Sequence, residues 1–156
     1  MTPPFGGAGE TVIRHAAPDD LVAVKGLLDQ CELPTEGVKD HITEFLIAET
    51  DGETVGVIGL EQYADSALLR SAAIIPERRG QGLGQTLVER ILGEAAARGV
   101  ETVYLLTTTA EQYFRQFGFE KVSRLQVPAL VKRSAEFQGA CPASAIAMSL
   151  SLWEDE

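Results

Sequence analysis

The chain has 156 residues, 45% of them hydrophobic, with 23 acidic against 13 basic residues and a formal charge of −10. That length and apolar content suit one globular domain with a core of its own and exclude a disordered chain. An acidic surface repels DNA, RNA and anionic lipid, so neither nucleic acid nor a membrane is an expected partner, and no apolar run approaches the ~20 residues of a membrane span.

Residues 1–10 contain neither a basic region nor an apolar core. They read as a flexible leader and not as a signal peptide, with the domain at 11–156 and a cytoplasmic location by default. Thr11–Ala16 alternates as a first strand. Asp19–Gln30 follows as a helix, with Leu21, Val24, Leu27 and Leu28 at helical spacing and Pro18 just ahead of it. Pro34 to His41 reads as a loop with a short helix. Glu44–Thr50 and Glu53–Glu61 flank Asp51-Gly52, the signature of a hairpin whose two turn residues take positive φ. The polar turn Ala64-Asp65-Ser66 introduces another strand, Ala67–Pro76.

From Gly82 to Arg98 the apolar residues Leu83, Leu87, Ile91 and Ala95 recur every four positions, and Gly99 supplies a stop. Val103–Thr107 is a short apolar strand, central in the sheet. Ala110–Phe117 is a short helix, Glu120–Arg124 a strand, Pro128–Phe137 one or two irregular helical turns, and Ala145–Leu150 a last strand. The pattern predicts an α+β fold of three layers: a mixed, mostly antiparallel central sheet flanked by helices. The strand ending at Pro76, the glycine-rich loop, the long helix and Val103–Thr107 form a β-α-β crossover.

The loop Arg79-Gly80-Gln81-Gly82-Leu83-Gly84 lies between a strand and a helix. Glycines let backbone N–H groups approach a ligand closely, and a helix N-terminus favours an anion. Arg78 and Arg79 add two positive charges in an acidic chain, so a diphosphate is the expected guest. The glycine spacing does not match the dinucleotide fingerprint Gly-x-Gly-x-x-Gly, and the Gly-Lys-Ser/Thr of a P-loop is absent.

The segment Ala73-Ile74-Ile75-Pro76-Glu77-Arg78-Arg79-Gly80-Gln81-Gly82-Leu83-Gly84 resembles the acetyl-CoA motif of the GNAT superfamily of N-acetyltransferases. The resemblance covers nearly the whole chain and implies the GNAT-type acyl-CoA N-acyltransferase fold, with acetyl-CoA as co-substrate. It implies that backbone amides from Gly80 through Gln81, Gly82, Leu83 and Gly84 to Gln85 hold the pyrophosphate. It further implies that Ala73 and Ile74 pair with the pantetheine arm like an added strand, the Ile74 amide binding the thioester oxygen. Ala110-Glu111-Gln112-Tyr113-Phe114-Arg115-Gln116-Phe117-Gly118-Phe119 resembles the family's helix-turn ending in Gly-Phe. Many members carry there the tyrosine that protonates the departing thiolate. Here Phe114 holds that place, on the cofactor side, and Tyr113 precedes it, turned by 100°; Tyr113 as acid and Tyr113 as a packing residue both stay open.

The acceptor must be a neutral amine, and a carboxylate beside it can take up the proton. Glu61, closing its strand, leads, with Glu111 and Glu136 behind it. Arg70 interrupts an apolar strand and suits either a bidentate clamp on a substrate carboxylate or a structural ion pair. The segments Leu105–Phe114, Arg133–Phe137 and Cys141–Ala145 resemble acetyltransferases associated with arsenic resistance and, more distantly, N-acetylglutamate synthase domains. That implies a small amino-acid-like acceptor, glutamate or a toxic analogue of it, with Thr107, Thr108, Arg133 and Ser134 lining its side, and it allows a homodimer. The chain lacks the amino-acid-kinase domain of many glutamate acetylators. Cys31 and Cys141 form no CxxC unit, so no metal is expected; a nucleophilic Cys141 stands as the minor alternative to a buried thiol. The alternative to an enzyme is a non-catalytic acyl-CoA-binding or sensor module.

Overall fold

A computed structural model describes residues 10–152. The expected leader lies outside the described residues except for Glu10. Seven strands, β1 (Thr11–His15), β2 (Leu46–Thr50), β3 (Glu53–Tyr63), β4 (Ser66–Ile74), β5 (Thr102–Thr107), β6 (Glu120–Val122) and β7 (Ile146–Ser151), form one sheet in the order β1-β2-β3-β4-β5-β7-β6. The helices are α1 (Leu21–Gln30), α2 (Val38–His41), α3 (Leu83–Ala97) and α4 (Glu111–Arg115). The ladders β1–β2, β2–β3, β5–β7 and β6–β7 are antiparallel and β4–β5 is parallel. The mixed, mostly antiparallel sheet expected from the sequence is therefore the one observed.

Local chemistry explains most boundaries. Asp51 and Gly52 both take positive φ, 54° and 82°, as the two-residue hairpin turn requires. α3 ends in a Schellman turn at Gly99 (φ 88°), with Gly99 N–H bonded to Ala96 O and Val100 N–H to Ala95 O. Gly118 (φ 100°) closes α4 the same way, Phe119 N–H reaching Phe114 O. Two differences stand out. β3 runs two residues beyond Glu61, because the turn before β4 is made by Ala64-Asp65. The segment after β6 holds three short turns, at Arg124–Gln126, Val131–Arg133 and Glu136–Ala140, where the sequence suggests one or two.

Residue contacts divide the chain into two compact units. Among the described residues, one comprises those up to 59 and 71–90, the other 60–70 and those from 91 onward, so β3, β4 and α3 each contribute to both. The first has a core of Val24, Leu27, Leu28, Val38, Ile42, Phe45, Ile47, Val57 and Ala73. Arg14 fastens its edge, donating to Asp20 at 2.9 Å and to Glu49 at 3.1 Å, and the bond to Arg14 holds the Asp20 carboxyl down at about 2. The second unit centres on Leu68, Val127, Val131 and Ala147.

Glycine in β3 is a packing requirement. A Cβ on Gly59 would come within 2.3–2.6 Å of ring atoms of fully buried Phe45. Gly59→Ala is therefore expected to destabilise the fold by about 1–3 kcal/mol through overpacking, read as a lower urea midpoint at unchanged m-value.

Candidate functional site

The glycine loop lies in the first unit. β4 ends at Ile74, a turn at Pro76–Arg78 follows, and α3 begins at Leu83. Gly80 and Gly82 take φ of 77° and 85°, and a Cβ at either would meet nothing within 4 Å. Positive φ favours glycine here and the open space leaves the loop's backbone approachable. The first amides of α3, those of Leu83, Gly84 and Gln85, precede the first intrahelical bond, Thr86 N–H to Gly82 O. The loop therefore meets the requirements of a phosphate cradle: approachable backbone, orphan N–H donors and a positive helix end.

Both arginines of the loop point away from a purely ionic role. Arg79 donates from Nε to Ile74 O at 2.9 Å and lies 3.5 Å from Cys31 Sγ. Arg78 bonds Thr50, Thr11 and Gln81. The Gln81 amide reaches Glu77 O, and Gln85 bonds Glu89. Ala73 is buried and Ile74 half-buried. The parallel ladder of β4 with β5 is confined to Ser66–Leu68 against Thr102–Tyr104, although β4 continues to Ile74. Ser71 on β4 has a φ of 62°, a left-handed conformation that costs a non-glycine residue energy and breaks the pleat of the strand. Nothing in Arg70-Ser71-Ala72 announces it.

The second unit holds a buried charged network. Arg70, with a side chain 0% exposed, donates from Nη1 to Glu61 Oε2 at 2.8 Å, and its Nε lies 3.4 Å from Glu136 Oε2. The Tyr63 hydroxyl donates to the other oxygen of Glu61 at 2.5 Å. Ser134 hydrogen-bonds Tyr63, and its Oγ accepts from the Glu136 amide at 3.2 Å. Burial and the Glu61 carboxylate push the Tyr63 phenol well above its ordinary range. Of the two roles that the sequence leaves open for Arg70, the ion pair is the one observed. Tyr63 escaped the sequence reading, although it lies two residues from Glu61 on β3, the spacing that puts side chains on one face.

The remaining expected residues are more scattered. Thr107 ends β5, its Oγ1 accepting from Ala110 N–H at 2.9 Å in the turn ahead of α4. Thr108 and Arg133 are exposed. Phe114 is buried, its ring edge-on to Tyr113 and to Phe119. Tyr113 is 38% exposed, also packs on Phe117, and has its phenol pushed up by burial. Glu111 pairs with Arg115 on α4 at 2.7 Å. Cys141 is unpaired with Cys31; burial, then the charge of Glu136, drive its thiol up to about 12. A thiol held protonated is a poor nucleophile. Among the described residues, no group of three or more His, Cys, Asp or Glu side chains could hold a metal ion, and no helix is long and apolar enough to cross a membrane.

Comparison with known proteins gives this geometry a context. The profile of the acetyltransferase (GNAT) domain matches residues 41–121. An amino-acid acetyltransferase of Pseudomonas fluorescens (strain Pf0-1) is 35% identical over 127 residues, 76% of this chain and 29% of that protein. This chain thus spans about a third or less of the length of that relative. Among solved structures, Rv2747 of Mycobacterium tuberculosis, in complex with CoA, is 27% identical with a TM-score of 0.75, covering 91% of this chain and 99% of that one. The N-acetylglutamate synthase of Neisseria gonorrhoeae, complexed with coenzyme A and L-arginine, shares the fold at a TM-score of 0.77 and 24% identity, over 95% of this chain and 34% of that one.

Two outcomes follow from the buried network. Arg70→Met strands two buried carboxylates and should cost about 3–5 kcal/mol in urea unfolding. Because the Cys141 thiol is raised, its thiolate is scarce below pH 10; iodoacetamide should label Cys141 at pH 8 at least tenfold more slowly in the native chain than in the urea-unfolded one, as read by peptide mass spectrometry.

Proposed function

This chain belongs to the GNAT acetyltransferase family, and from that premise we propose that it moves an acetyl group from acetyl-CoA to the primary amine of a small amino-acid-like acceptor. The observation that carries the donor half is the loop with Gly80 and Gly82 at positive φ and open to a ligand. In this reading the amides of Gly80 to Gln85 bind the pyrophosphate. The β4 backbone at Ala73 and Ile74 takes the pantetheine arm as an added strand. The limited β4–β5 ladder supports this, since the donor can take the place of a missing strand partner.

The amine nitrogen attacks the thioester carbonyl while both substrates are bound. The carbonyl oxygen gains charge as the C–N bond forms, and the Ile74 N–H stabilises it, an effect worth about 3 kcal/mol of barrier for one such donor. The C–S bond then breaks and the thiolate leaves with a proton. Tyr113 is the proposed donor of that proton; its raised phenol keeps the proton available at neutral pH. Glu61 is the proposed base. It is buried and bonded to Arg70, so a proton reaches it through Tyr63, whose hydroxyl already points at Glu61. Arg70 keeps Glu136 as a partner when Glu61 takes up the proton.

The acceptor class draws on the amino-acid acetyltransferase of P. fluorescens and on the glutamate synthase that shares the fold. A glutamate-like acceptor would place its carboxylates against exposed Arg133 and the hydroxyls of Thr107, Thr108 and Ser134. Arg70 joins them only where an acceptor carboxylate displaces Glu136, the longer of its two contacts. The resemblance to arsenic-resistance acetyltransferases makes a toxic glutamate analogue the second acceptor to try. Reaction on acetyl-CoA fits a cytoplasmic location.

The test is release of free CoA from acetyl-CoA with L-glutamate, glutamate analogues, other amino acids and simple amines. Turnover is expected on acidic amino acids. Glu61→Gln should lower kcat about 100-fold with little change in KM for acetyl-CoA. Stabilisation by acetyl-CoA without turnover on any acceptor would replace the enzyme reading by that of an acyl-CoA sensor.

A further inference from the structure

The loop's second positive charge is held in an unusual way. Arg78 closes the turn Pro76–Arg78 and is half-buried. Its guanidinium forks over the end of the β1–β2 ladder. Nη1 donates to Thr50 Oγ1 at 2.8 Å and Nη2 to Thr11 Oγ1 at 2.7 Å. Thr11 and Thr50 are register partners, and their own hydroxyls are 2.9 Å apart. Nε bonds the side chain of Gln81 at 3.0 Å, across the glycine loop. One planar group thus ties the loop to two strand ends.

All three acceptors are neutral. Arg14, in the same unit, has two carboxylates on its guanidinium, Asp20 and Glu49. An arginine paired with carboxylates loses its field at a distance. An arginine satisfied by hydroxyls and an amide is fixed in geometry and keeps its charge. The fork needs a planar, divergent donor set that lysine lacks. Sequence distance hides the arrangement, since Thr11 and Thr50 lie 67 and 28 residues from Arg78.

We propose that Arg78 is a positioning residue for the nucleotide-diphosphate end of CoA, and that Thr11 and Thr50 are its seat. The threonines hold the guanidinium in place, the guanidinium holds Gln81 and with it the curve of Gly80–Gly82, and its unspent charge adds to the positive end of α3. The inference rests on the reading of the loop as the acetyl-CoA site and deepens it. In this account Arg78 acts through Gln81 and through its charge; three of its five donors are engaged by Thr50, Thr11 and Gln81.

The experiment is calorimetric titration of CoA, at several salt concentrations, into the wild-type chain, Arg78→Lys, Arg78→Gln, the double variant Thr11→Val/Thr50→Val, and Gly82→Val. Arg78→Lys and the double variant keep the charge and lose the fork; Kd for CoA should rise roughly five- to tenfold, the equivalent of one or two net hydrogen bonds. Arg78→Gln should weaken binding further and flatten the dependence of log Kd on log salt, because a fixed charge is gone. A purely structural role would leave that slope unmoved. Arg78→Lys leaves both threonines and their mutual bond intact, so it reports even where the double variant unfolds. Wild-type affinity in Arg78→Lys or in the folded double variant, with binding abolished by Gly82→Val, overturns the clasp and leaves the acetyl-CoA loop standing. So does an unchanged salt slope in Arg78→Gln. A wild-type chain that takes up no CoA overturns the loop reading and the clasp together.

Discussion

Arg70 sits in the middle of β4 with no exposed side-chain surface, and two carboxylates share its charge. A buried guanidinium is tolerable only when its donors are met and its charge is balanced. Glu61 comes from the neighbouring β3 and Glu136 from the turn of the C-terminal segment, so the pairing joins a hairpin to a stretch of irregular chain. That stretch, around Val131 to Ala140, has few apolar anchors; Val131 is the fully buried one. Its order therefore leans on electrostatics. Arg124 adds to this, bonding Ala145 O at 2.8 Å with its guanidinium 5.7 Å from the Phe137 ring.

The loop of the first unit is organised on the opposite principle. There the positive groups have neutral partners: Arg78 two hydroxyls and an amide, Arg79 a backbone carbonyl. Backbone geometry does the rest, through glycines at positive φ and the unpaired amides that every α-helix presents at its start. Charge is left uncancelled at the glycine loop and paired at Arg70. β4 serves both ends, with Arg70 and Ser71 adjacent on one strand and Ile74 at its tip.

Much of this was legible in the residues. The Asp51-Gly52 hairpin, the stop at Gly99, the stripe of α3 and the strand–glycine–helix order are local properties: each depends on φ preferences or on spacing within a turn or two of chain. The glycine loop was legible for the same reason, since what makes it a candidate anion site is its own backbone. The left-handed conformation of Ser71 was not, because serine carries no preference for positive φ and the conformation is imposed by its surroundings. Phe114 is a milder case. Its place in the motif suggests the cofactor side, and the structure places its ring in an aromatic cluster with Tyr113, Phe117 and Phe119.

By itself, then, the sequence determined the order of strands and helices, the mixed character of the sheet and the position of the glycine loop between strand and helix, because periodicity and turn chemistry act over a few residues. Only the tertiary structure decided who partners whom. Glu61 and Arg70 are nine residues apart on successive strands, but Glu136 comes from far along the chain, as Thr11 and Thr50 do for Arg78, and no local pattern says that these groups meet. Arginine illustrates the division. Its charge was plain at positions 14, 70, 78 and 79, but whether that charge is neutralised or kept depends on which acceptors the fold brings within 3 Å or so, and side-chain partners of that kind are set by long-range packing.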